Sequence, residues 1–210
     1  EHLETTHRLD TIILDKTGTV TNGKPSLTDV ILAEDINETE FLTLVGAAEK
    51  NSEHPLAQAI VEGIRDKGIE LAAPETFEAI PGFGVQATVN GKDLLIGTRR
   101  LMAKHHVNVQ EVLRKMEELE KQGKTAMLAA IDGRYTGIVA VADTIKETSK
   151  EAIARLQDMD LDVVMITGDN TQTAHAIAEQ VGIKHVIAEV LPEGKAEEVK
   201  KLQKAGKKVA

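Results

Sequence analysis

Apolar residues recur towards both ends of the chain in short runs that alternate with stretches of helical spacing. Runs of Ile, Val, Leu and Met between polar flanks indicate buried strands, and apolar positions about three to four residues apart indicate helices. Strands are predicted over residues 11–14, 163–166 and 185–188, and helices over residues 146–159, 171–181 and 194–205. This alternation is typical of βαβ units, so we expect an α/β fold with a doubly wound parallel sheet.

The middle of the chain follows a different pattern, in which pairs of short strands are joined by tight turns. Asn90-Gly91 and Asp132-Gly133 each separate two apolar segments, and both dipeptides are strong signals for a two-residue hairpin. Strands are predicted over residues 85–89, 92–96, 126–131 and 135–141, amphipathic helices over residues 38–50 and 55–67, and a further helical stretch over residues 109–122. We expect an inserted α+β module with an antiparallel sheet over residues 25–137, which divides the α/β domain into residues 1–24 and 138–210.

The charge and composition of the chain exclude several classes of function. The chain has 34 acidic and 25 basic residues, a net charge of -9, which argues against binding to nucleic acid or to an anionic membrane surface. It contains no cysteine, so disulfides and thiolate metal sites are excluded. No apolar run approaches the roughly 20 residues of a membrane helix, and residues 1–10 are too charged for a signal peptide. We therefore expect no direct insertion of this chain into a membrane.

Asp15 lies at the carboxyl end of the first predicted strand, where open α/β sheets bind their ligands. It begins the sequence Asp-Lys-Thr-Gly-Thr, in which Gly18 allows close approach of the backbone and the hydroxyls of Thr17 and Thr19 can donate to phosphate oxygens. A carboxylate in this place can act as a nucleophile and form an acyl phosphate. An isolated aspartate at a strand end would be interpreted as part of a turn, but five specified residues in this context favour phosphoryl chemistry.

A second polar segment, Thr-Gly-Asp-Asn, starts at Thr167 and follows the strand predicted over residues 163–166. Asp169 or Asn170 could simply cap the next helix, and for this segment alone that alternative stays open. Lys195 starts another predicted helix and, taken alone, would be an ordinary surface lysine.

The inserted module holds a second group of candidate residues. His54 lies in Ser-Glu-His-Pro between two predicted helices, and a lone histidine is more often structural or solvated than functional. Three phenylalanines, one tyrosine and no tryptophan leave few flat rings to stack on a purine, which favours a role for His54. Gly82 and Gly84 alone indicate a bulge or a turn. His105 and His106, with no cysteine or carboxylate pair nearby, are interpreted as an exposed helix end and not as a metal site.

Asp-Lys-Thr-Gly-Thr from Asp15, the Val20-Thr21 that follows it, the Thr-Gly-Asp segment and Lys195 together resemble the signatures of the P-type ATPases. This family belongs to the haloacid dehalogenase superfamily. The resemblance implies that Asp15 accepts the γ-phosphate of ATP, that Lys16 and Thr17 act beside it, and that Asp15 and Thr17 bind Mg2+. Related phosphatases carry a second aspartate where this chain has Thr17. Its absence implies slow attack of water on the aspartyl phosphate.

The resemblance also gives roles to the residues at the second strand end. It assigns Thr167 to a phosphoryl oxygen, and Gly168 and Asp169 to the nucleotide and phosphate region. Lys195 would neutralise the transferring phosphoryl group. The segment Ala-Asp-Thr-Ile-Lys, which contains Asp143 and Lys146, matches a hinge segment of the family, but the role of Asp143 stays open.

Ser-Glu-His-Pro, with Glu49 upstream, is similar to the nucleotide-binding signature of the heavy-metal P-type ATPases. The resemblance implies that His54 packs against the adenine and that Glu49 receives its exocyclic amine. Further nucleotide contacts are implied for Gly82, Gly84, Val85, Gly97 and Thr98. Many relatives have Asn at the position of Thr98.

We therefore interpret the chain as the ATP-binding and phosphorylation region of a heavy-metal P-type ATPase at the cytosolic face of a membrane, with ATP and Mg2+ as cofactors. Residues 1–10 and the strand that follows them are most similar to bacterial copper exporters, so copper(I) is the favoured cargo, and zinc or another soft metal is the alternative. A soluble phosphatase of the same superfamily and a module that binds ATP without chemistry are the rival interpretations.

The resemblance implies partners as well. They would be the transmembrane helices, the actuator domain and the metal-binding domains of the same pump. The family motif Gly-Asp-Gly-x-Asn-Asp-x-Pro, which supplies another magnesium aspartate, would follow a strand that begins near residues 208–210. We expect from this that the 210 residues alone bind ATP with little turnover.

Overall fold

A computed structural model describes residues 9–210 of the chain. Residues 1–8, on which most of the resemblance to copper exporters at the N-terminus depends, lie outside the described part. The described chain divides into two compact units. The first unit consists of residues 9–24, Lys121–Gly123 and Asp143–Ala210, and the second consists of Pro25–Glu120 and Lys124–Ala142.

Residues 9–210 form nine strands and seven α-helices. The strands are β1 (Thr11–Asp15), β2 (Thr21–Leu32), β3 (Thr76–Ile80), β4 (Gly84–Val89), β5 (Lys92–Gly97), β6 (Thr125–Ile131), β7 (Arg134–Ile145), β8 (Asp162–Ile166) and β9 (His185–Ile187). The α-helices are α1 (Glu38–Glu49), α2 (Pro55–Asp66), α3 (Arg99–Lys104), α4 (Leu113–Lys121), α5 (Ser149–Asp158), α6 (Thr171–Val181) and α7 (Lys195–Lys204). Short 3-10 turns cover Gln110–Val112 and Pro192–Gly194, and a π-type turn covers Lys16–Val20.

The first unit is built on a parallel sheet with the strand order β1-β8-β9. In the register of this sheet Asp15 pairs with Ile166, so Asp15 and Thr167 lie at the same carboxyl edge. Beyond the other side of β1, Val209 forms a parallel bridge with Thr11, where a further strand was predicted to begin. The predicted fold class is thereby confirmed, because βα alternation places the first and eighth strands side by side although they are far apart in sequence.

Helix α6 illustrates how the local sequence fixes an element of the first unit. The side chain of Asn170 accepts a hydrogen bond from the backbone N–H of Thr173, so Asn170 and not Asp169 is the N-cap. The helix ends at Gly182 in the left-handed conformation, with φ 80°. Its buried face packs into a core under the parallel sheet, formed by Val20, Ile153, Val163, Met165, Ala174, Ile177, Ala178, Val181 and Ile183.

The second unit is built on a six-stranded sheet with the order β2-β7-β6-β5-β4-β3. Both predicted hairpins are present. The turn residues Asn90 and Gly91 have φ 50° and 74°, and Asp132 and Gly133 have φ 49° and 79°, the positive values that a type I′ turn requires. One face of the sheet packs on α1 and α2, and the other face packs on α3 and α4.

Three predictions about the second unit were wrong in detail. Helix α1 was expected to be amphipathic, but eight of its twelve residues are buried. One reason is that Gly46 packs directly on Leu71, where a Cβ atom would lie 2.6 Å from a leucine methyl. The helix predicted over residues 109–122 is divided into a 3-10 turn, Gln110–Val112, and α4. Strand β7 extends to Ile145, four residues beyond the predicted end at residue 141.

Strands β2 and β3 were not predicted at all. They are the two edges of the six-stranded sheet, where a strand needs only one hydrogen-bonded neighbour. Gly23 and Pro25 within β2 are residues that weaken a strand pattern, and an edge strand tolerates proline because one row of its N–H groups is unpaired. None of the helices formed by residues 9–210 has the length and apolar character that crossing a bilayer requires.

Candidate functional site

Asp15, the predicted phosphoryl acceptor, ends strand β1 and faces the ammonium group of Lys195. The Lys195 Nζ atom lies 3.1 Å from Asp15 Oδ1 and 2.9 Å from Asp15 Oδ2. Both side chains keep contact with solvent, with 42% of the Asp15 side chain and 32% of the Lys195 side chain exposed. The first residue of helix α7 therefore places a cation against a carboxylate that incoming molecules can still reach.

Lys16, which was expected to act beside Asp15, forms its ion pair with Asp169 instead. Its Nζ atom lies 2.6 Å from Asp169 Oδ2, and the lysine side chain is only 10% exposed. The ion pair connects the residue after β1 to the loop after β8. Two lysines thus occupy the carboxyl edge of the parallel sheet, one on Asp15 and one on Asp169.

Thr167 is almost fully buried at the end of β8, with 2% of the residue exposed. Its hydroxyl oxygen accepts a hydrogen bond from the backbone N–H of Asp169, at 3.1 Å. Gly168, between them, is exposed, and a Cβ atom there would lie 3.2 Å from the carbonyl oxygen of Val190. The structure therefore brings Asp15, Lys16, Thr167, Gly168, Asp169 and Lys195 to one edge of the sheet.

Residues Lys16–Val20, which we call the acceptor loop, connect Asp15 to β2. Thr17 leaves helical geometry with φ −73° and ψ 119°, and Gly18 is left-handed with φ 81°. Thr17, Gly18 and Thr19 are exposed, whereas the residues on either side, Lys16 and Val20, are buried. The loop is thus anchored at both ends and presents its hydroxyls and its glycine to solvent beside Asp15.

The candidate nucleotide residues line a single cavity in the second unit, with a volume of about 330 Å³. The cavity lies between the start of α2, the turn between β3 and β4, and the ends of β5 and β6. Seven of the nine residues expected to bind the nucleotide line it: Glu49, His54, Gly82, Gly84, Val85, Gly97 and Thr98. The other two, Gly168 and Asp169, lie in the first unit and do not line this cavity.

His54 has a structural contact in addition to its place in the cavity. Its Nδ1 atom accepts a hydrogen bond from the backbone N–H of Leu56, at 3.2 Å, so His54 is the N-cap of α2, and Pro55 follows at the first helical position. With Nδ1 as acceptor, the neutral ring carries its proton on Nε2. The helix therefore fixes the orientation of an imidazole ring that is exposed at the cavity wall.

Glu49 is the last residue of α1 and the only carboxylate among the residues that line this cavity. Its residue exposure is 4%, and burial raises the pKa of its carboxyl group to about 7. No hydrogen-bond donor from the described residues reaches this carboxyl group. A buried acceptor without a partner is costly, so the position suits a ligand that brings its own N–H donor.

Gly84 and Gly97 face each other across strands β4 and β5. A Cβ atom on Gly84 would lie 2.0 Å from the carbonyl oxygen of Ile96, and one on Gly97 would lie 2.0 Å from the carbonyl oxygen of Phe83. The two strands could not approach in this way with any larger residue. Gly82 differs, because its φ of 77° favours glycine but the space beside it is open.

Several residues at the two sites were not predicted. Phe83 lines the cavity, and the centre of its ring lies 5.9 Å from the Nζ atom of Lys104. It was not selected as a site residue, although it stands between Gly82 and Gly84, which were. Thr21 and Asp143 hydrogen-bond to each other beside the acceptor loop. Thr21 and Asp143 each lie in a motif that was recognised, because Thr21 ends the phosphorylation signature and Asp143 lies in the hinge segment. Neither motif indicates that the two side chains meet.

The interpretation of His105 and His106 as an exposed helix end is confirmed. His105 caps the end of α3, His106 follows with a left-handed φ of 57°, and both residues are exposed. In the described part of the chain, no group of three or more His, Cys, Asp or Glu side chains is arranged to hold a metal ion.

The chain is similar to proteins of known activity over its whole length. A copper-exporting P-type ATPase of Bacillus subtilis (strain 168) is 56% identical over 210 residues, which cover 100% of this chain and 26% of that protein. A copper-exporting P-type ATPase of Staphylococcus epidermidis is 48% identical over 211 residues, again 100% of this chain and 26% of that protein. The chain thus spans about a quarter of the length of these curated relatives. The predicted resemblance to the heavy-metal P-type ATPases is confirmed.

Solved structures agree with this fold. A zinc-transporting PIB-type ATPase in the E2.Pi state matches with a TM-score of 0.83 and 35% identity, over 99% of this chain and 33% of that chain. The catalytic domain of the CPx-ATPase CopB-B matches with a TM-score of 0.71 over 98% of this chain and 71% of that chain, and its 23% identity supports the fold alone. Residues 9–210 match the family model of the haloacid dehalogenase-like hydrolases, and the chain, with Asp15 at the end of its first parallel strand, belongs to that family.

Proposed function

We propose that this chain is the catalytic region of a copper-exporting P-type ATPase, in which the second unit binds ATP and Asp15 accepts its γ-phosphoryl group. The observation that carries the proposal is the contact of both Asp15 oxygens with Lys195, at 3.1 and 2.9 Å. A solvent-accessible carboxylate beside a fixed ammonium group is suited to attack an anionic phosphorus centre, because the cation offsets repulsion between the reactants.

The residues around Asp15 support a division of labour in phosphoryl transfer. An oxygen of the Asp15 carboxylate attacks the γ-phosphorus, the bond to the bridging oxygen of ADP breaks, and an acyl phosphate forms. Lys195 stabilises the charge on the equatorial phosphoryl oxygens. Thr167 is suited to donate to one of them, because its oxygen accepts from Asp169 N–H and leaves its own proton available.

Lys16 has a less direct part in this proposal. Its ammonium group is paired with Asp169 and buried, so it holds the loops after β1 and β8 together and does not meet the substrate directly. Thr17 occupies the position at which related phosphatases carry a general base. A hydroxyl is a poor base, so the acyl phosphate would persist, which disfavours the rival proposal of a soluble phosphatase.

The residues beside Asp15 are compatible with magnesium. Mg2+ prefers oxygen ligands, keeps several of its waters, and is commonly held by one or two carboxylates together with substrate phosphates. The exposed Asp15 carboxylate and the exposed Thr17 fit such a partial site, and they would hold the ion together with the nucleotide phosphates. When bound, Mg2+ supplies neutralisation of the negative charge on the phosphates.

The cavity of the second unit supports binding of an adenine nucleotide. Glu49 is a buried acceptor without a protein donor, and adenine offers an exocyclic N–H₂ group that would satisfy it. The imidazole of His54 would stack on the base, while Gly82, Gly84, Val85, Gly97 and Thr98 would contact the rest of the nucleotide. Phe83 provides a second aromatic ring in the same cavity.

Copper(I) is the proposed cargo because two relatives that cover the whole chain, at 56% and 48% identity, are named copper-exporting. Zinc is the alternative, supported by the zinc-transporting ATPase structure at 35% identity. The remaining parts of such a pump, its transmembrane helices, actuator domain and metal-binding domains, would be the partners, and the chain would lie at the cytosolic face of the membrane.

The proposal can be tested on a hybrid pump in which this chain replaces the matching region of the Bacillus subtilis relative. The probe is beryllium fluoride, an analogue of the phosphoryl group that adds to carboxylates in the presence of Mg2+. A bound 19F NMR signal is expected for the wild-type chain and for Asp93→Asn, an exposed aspartate of the second unit, but not for Asp15→Asn. An equal signal from the Asp15→Asn variant would remove Asp15 as the phosphoryl acceptor.

A further inference from the structure

The acceptor loop, residues Lys16–Val20, is held through its backbone by residues that the proposed chemistry does not use. Lys146 Nζ donates to the carbonyl oxygen of Gly18 at 2.8 Å. The backbone N–H of Gly18 donates to Thr21 Oγ1 at 3.4 Å. Both polar backbone groups of Gly18, three residues after Asp15, therefore have a side-chain partner.

Thr21 is fully buried, and its hydroxyl is connected to a charged partner. Its Oγ1 atom donates to Asp143 Oδ2 and lies 3.1 Å from the carbonyl oxygen of Lys16. A hydroxyl has one proton, and an ionised carboxylate is the stronger acceptor of the two, so the proton belongs to the contact with Asp143. This leaves the hydroxyl oxygen free to accept from Gly18 N–H.

The second oxygen of Asp143 extends the same contact. Asp143 Oδ1 accepts from the backbone N–H of Gly23, at 2.9 Å. Gly23 in turn packs against the acceptor loop, because a Cβ atom there would lie 3.1 Å from the Cα atom of Gly18. One carboxylate thus holds two groups, the Thr21 hydroxyl, which accepts from the Gly18 N–H, and the amide of Gly23, a residue that packs close to Gly18.

We propose that Thr21, Asp143 and Lys146 form a loop clamp that positions Asp15 for phosphoryl transfer; the inference rests on the proposed function of Asp15. None of the three residues contacts the Asp15 carboxylate in the structure, so they are positioning residues and act through the backbone of Gly18. A displacement of about 1 Å in an attacking group can cost about 100-fold in rate. Because the acceptor loop directly follows Asp15, fixing the N–H and the carbonyl of Gly18 limits such a displacement of the Asp15 carboxylate.

The loop clamp also explains the residue types. The threonine hydroxyl at position 21 donates to Asp143 and accepts from Gly18, whereas an apolar residue of the same shape would leave Asp143 Oδ2 and the Gly18 N–H without these partners. Asparagine at position 143 could accept one of the two hydrogen bonds but would lose the charge that makes the hydroxyl contact strong.

The test compares the variants Thr21→Val, Asp143→Asn and Lys146→Met with the wild type. Beryllium fluoride affinity is measured on the hybrid pump described above, and ATP affinity and hydrogen exchange are measured on the 210-residue chain. Thr21→Ser, which retains the hydroxyl, is the rescue variant. Thr136→Val is the matched control, because Thr136 is also a buried threonine whose hydroxyl donates to a backbone carbonyl, that of Ala129, but in the second unit. The readouts are affinity for beryllium fluoride with Mg2+, ATP affinity, and hydrogen exchange at the amide of Gly18.

Thr21→Val and Asp143→Asn are expected to weaken beryllium fluoride binding about 10- to 100-fold, and Lys146→Met by a smaller factor. The Gly18 amide is expected to exchange faster, while ATP affinity stays unchanged. Thr21→Ser and Thr136→Val are expected to bind beryllium fluoride like the wild type. Unchanged beryllium fluoride affinity and Gly18 exchange in both main variants would overturn the loop clamp.

The two proposals fail in different ways. If the hybrid pump with the wild-type chain bound no beryllium fluoride at Asp15, the proposed function would be overturned. Hydrogen exchange at Gly18 would still decide whether Thr21 and Asp143 hold the loop, because that readout requires no phosphoryl chemistry.

Discussion

The ammonium group of Lys195 donates to both carboxylate oxygens of Asp15, although 180 residues separate them in sequence. Two elements produce this contact. Strand β1 ends at Asp15, and α7 begins at Lys195 after a short 3-10 turn at Pro192–Gly194. This pair contains the two groups on which the proposed chemistry depends, the attacking carboxylate and the cation that stabilises the phosphoryl charge.

Replacement of Lys195 is expected to slow phosphorylation of Asp15. Lys195→Met should reduce the rate about 100-fold or more, because it removes a fixed donor from the site at which charge develops. Lys201→Met is the control, since Lys201 lies on the same helix and pairs with Glu198 at the surface. Pre-steady-state labelling would measure both rates. Equal rates for the two variants would contradict the role of Lys195.

The two functions of His54 can be separated by substitution. His54→Asn retains a side-chain acceptor of the kind favoured at a helix N-cap but removes the ring. We expect thermal stability close to the wild type and ATP affinity weakened by about 1–2 kcal/mol, the scale of one stacking contact. Calorimetric titration with ATP measures the affinity. An affinity unchanged within error would mean that His54 serves only the helix.

Glu49 is expected to reduce stability at neutral and alkaline pH. Burial raises its folded-state pKa from 4.5 to about 7, so the folded chain retains a proton that the unfolded chain has lost. The stability associated with this proton is fully present below pH 4.5 and is lost as pH rises to about 7. Glu49→Gln should therefore stabilise the chain by about 1–3 kcal/mol at pH 8 and by little at pH 4.5.

The same substitution should weaken ATP binding at pH 8, because the carboxylate would be the partner of the adenine amine. Urea unfolding at both pH values and ATP titration at pH 8 measure the two effects. Loss of stability at pH 8 with unchanged ATP affinity would contradict the assignment of Glu49 to the nucleotide.

The glycines of the cavity are expected to divide into two groups. Gly84→Ala and Gly97→Ala place a Cβ atom 2.0 Å from a backbone oxygen and should destabilise the second unit by about 3 kcal/mol or more. Gly82→Ala meets open space and should cost about 1–2 kcal/mol through its left-handed φ. If Gly82 contacts the nucleotide, its variant should lose ATP affinity while it remains folded at 25 °C. Equal melting temperatures for all three variants would contradict this division.

Much of the fold could be predicted because local patterns and tertiary structure agree. The apolar runs of β1 and β8 indicated parallel strands, and the Asn90-Gly91 and Asp132-Gly133 turns adopt the φ angles that their sequences favour. Strands β2 and β3 escaped prediction because edge strands carry weak patterns, and β2 contains a glycine and a proline.

The candidate site was less accessible to sequence reasoning. The contact between Thr21 and Asp143 joins residues 122 positions apart, and no local pattern specifies it. Gly84 and Gly97 were selected only as nucleotide residues. The structure shows a second reason for glycine at both positions, because their strands approach too closely for a Cβ atom, and no local pattern specifies this. Tertiary packing determines both relationships.

The central claim is that Asp15 accepts the γ-phosphoryl group of ATP. The most direct measurement is made on a pump in which this chain replaces the matching region of the Bacillus subtilis relative, to which it is 56% identical. After incubation with [γ-32P]ATP and Mg2+, we predict an acid-stable, hydroxylamine-sensitive label that maps to Asp15 by peptide analysis. Label of undiminished intensity in the Asp15→Asn protein would contradict the account.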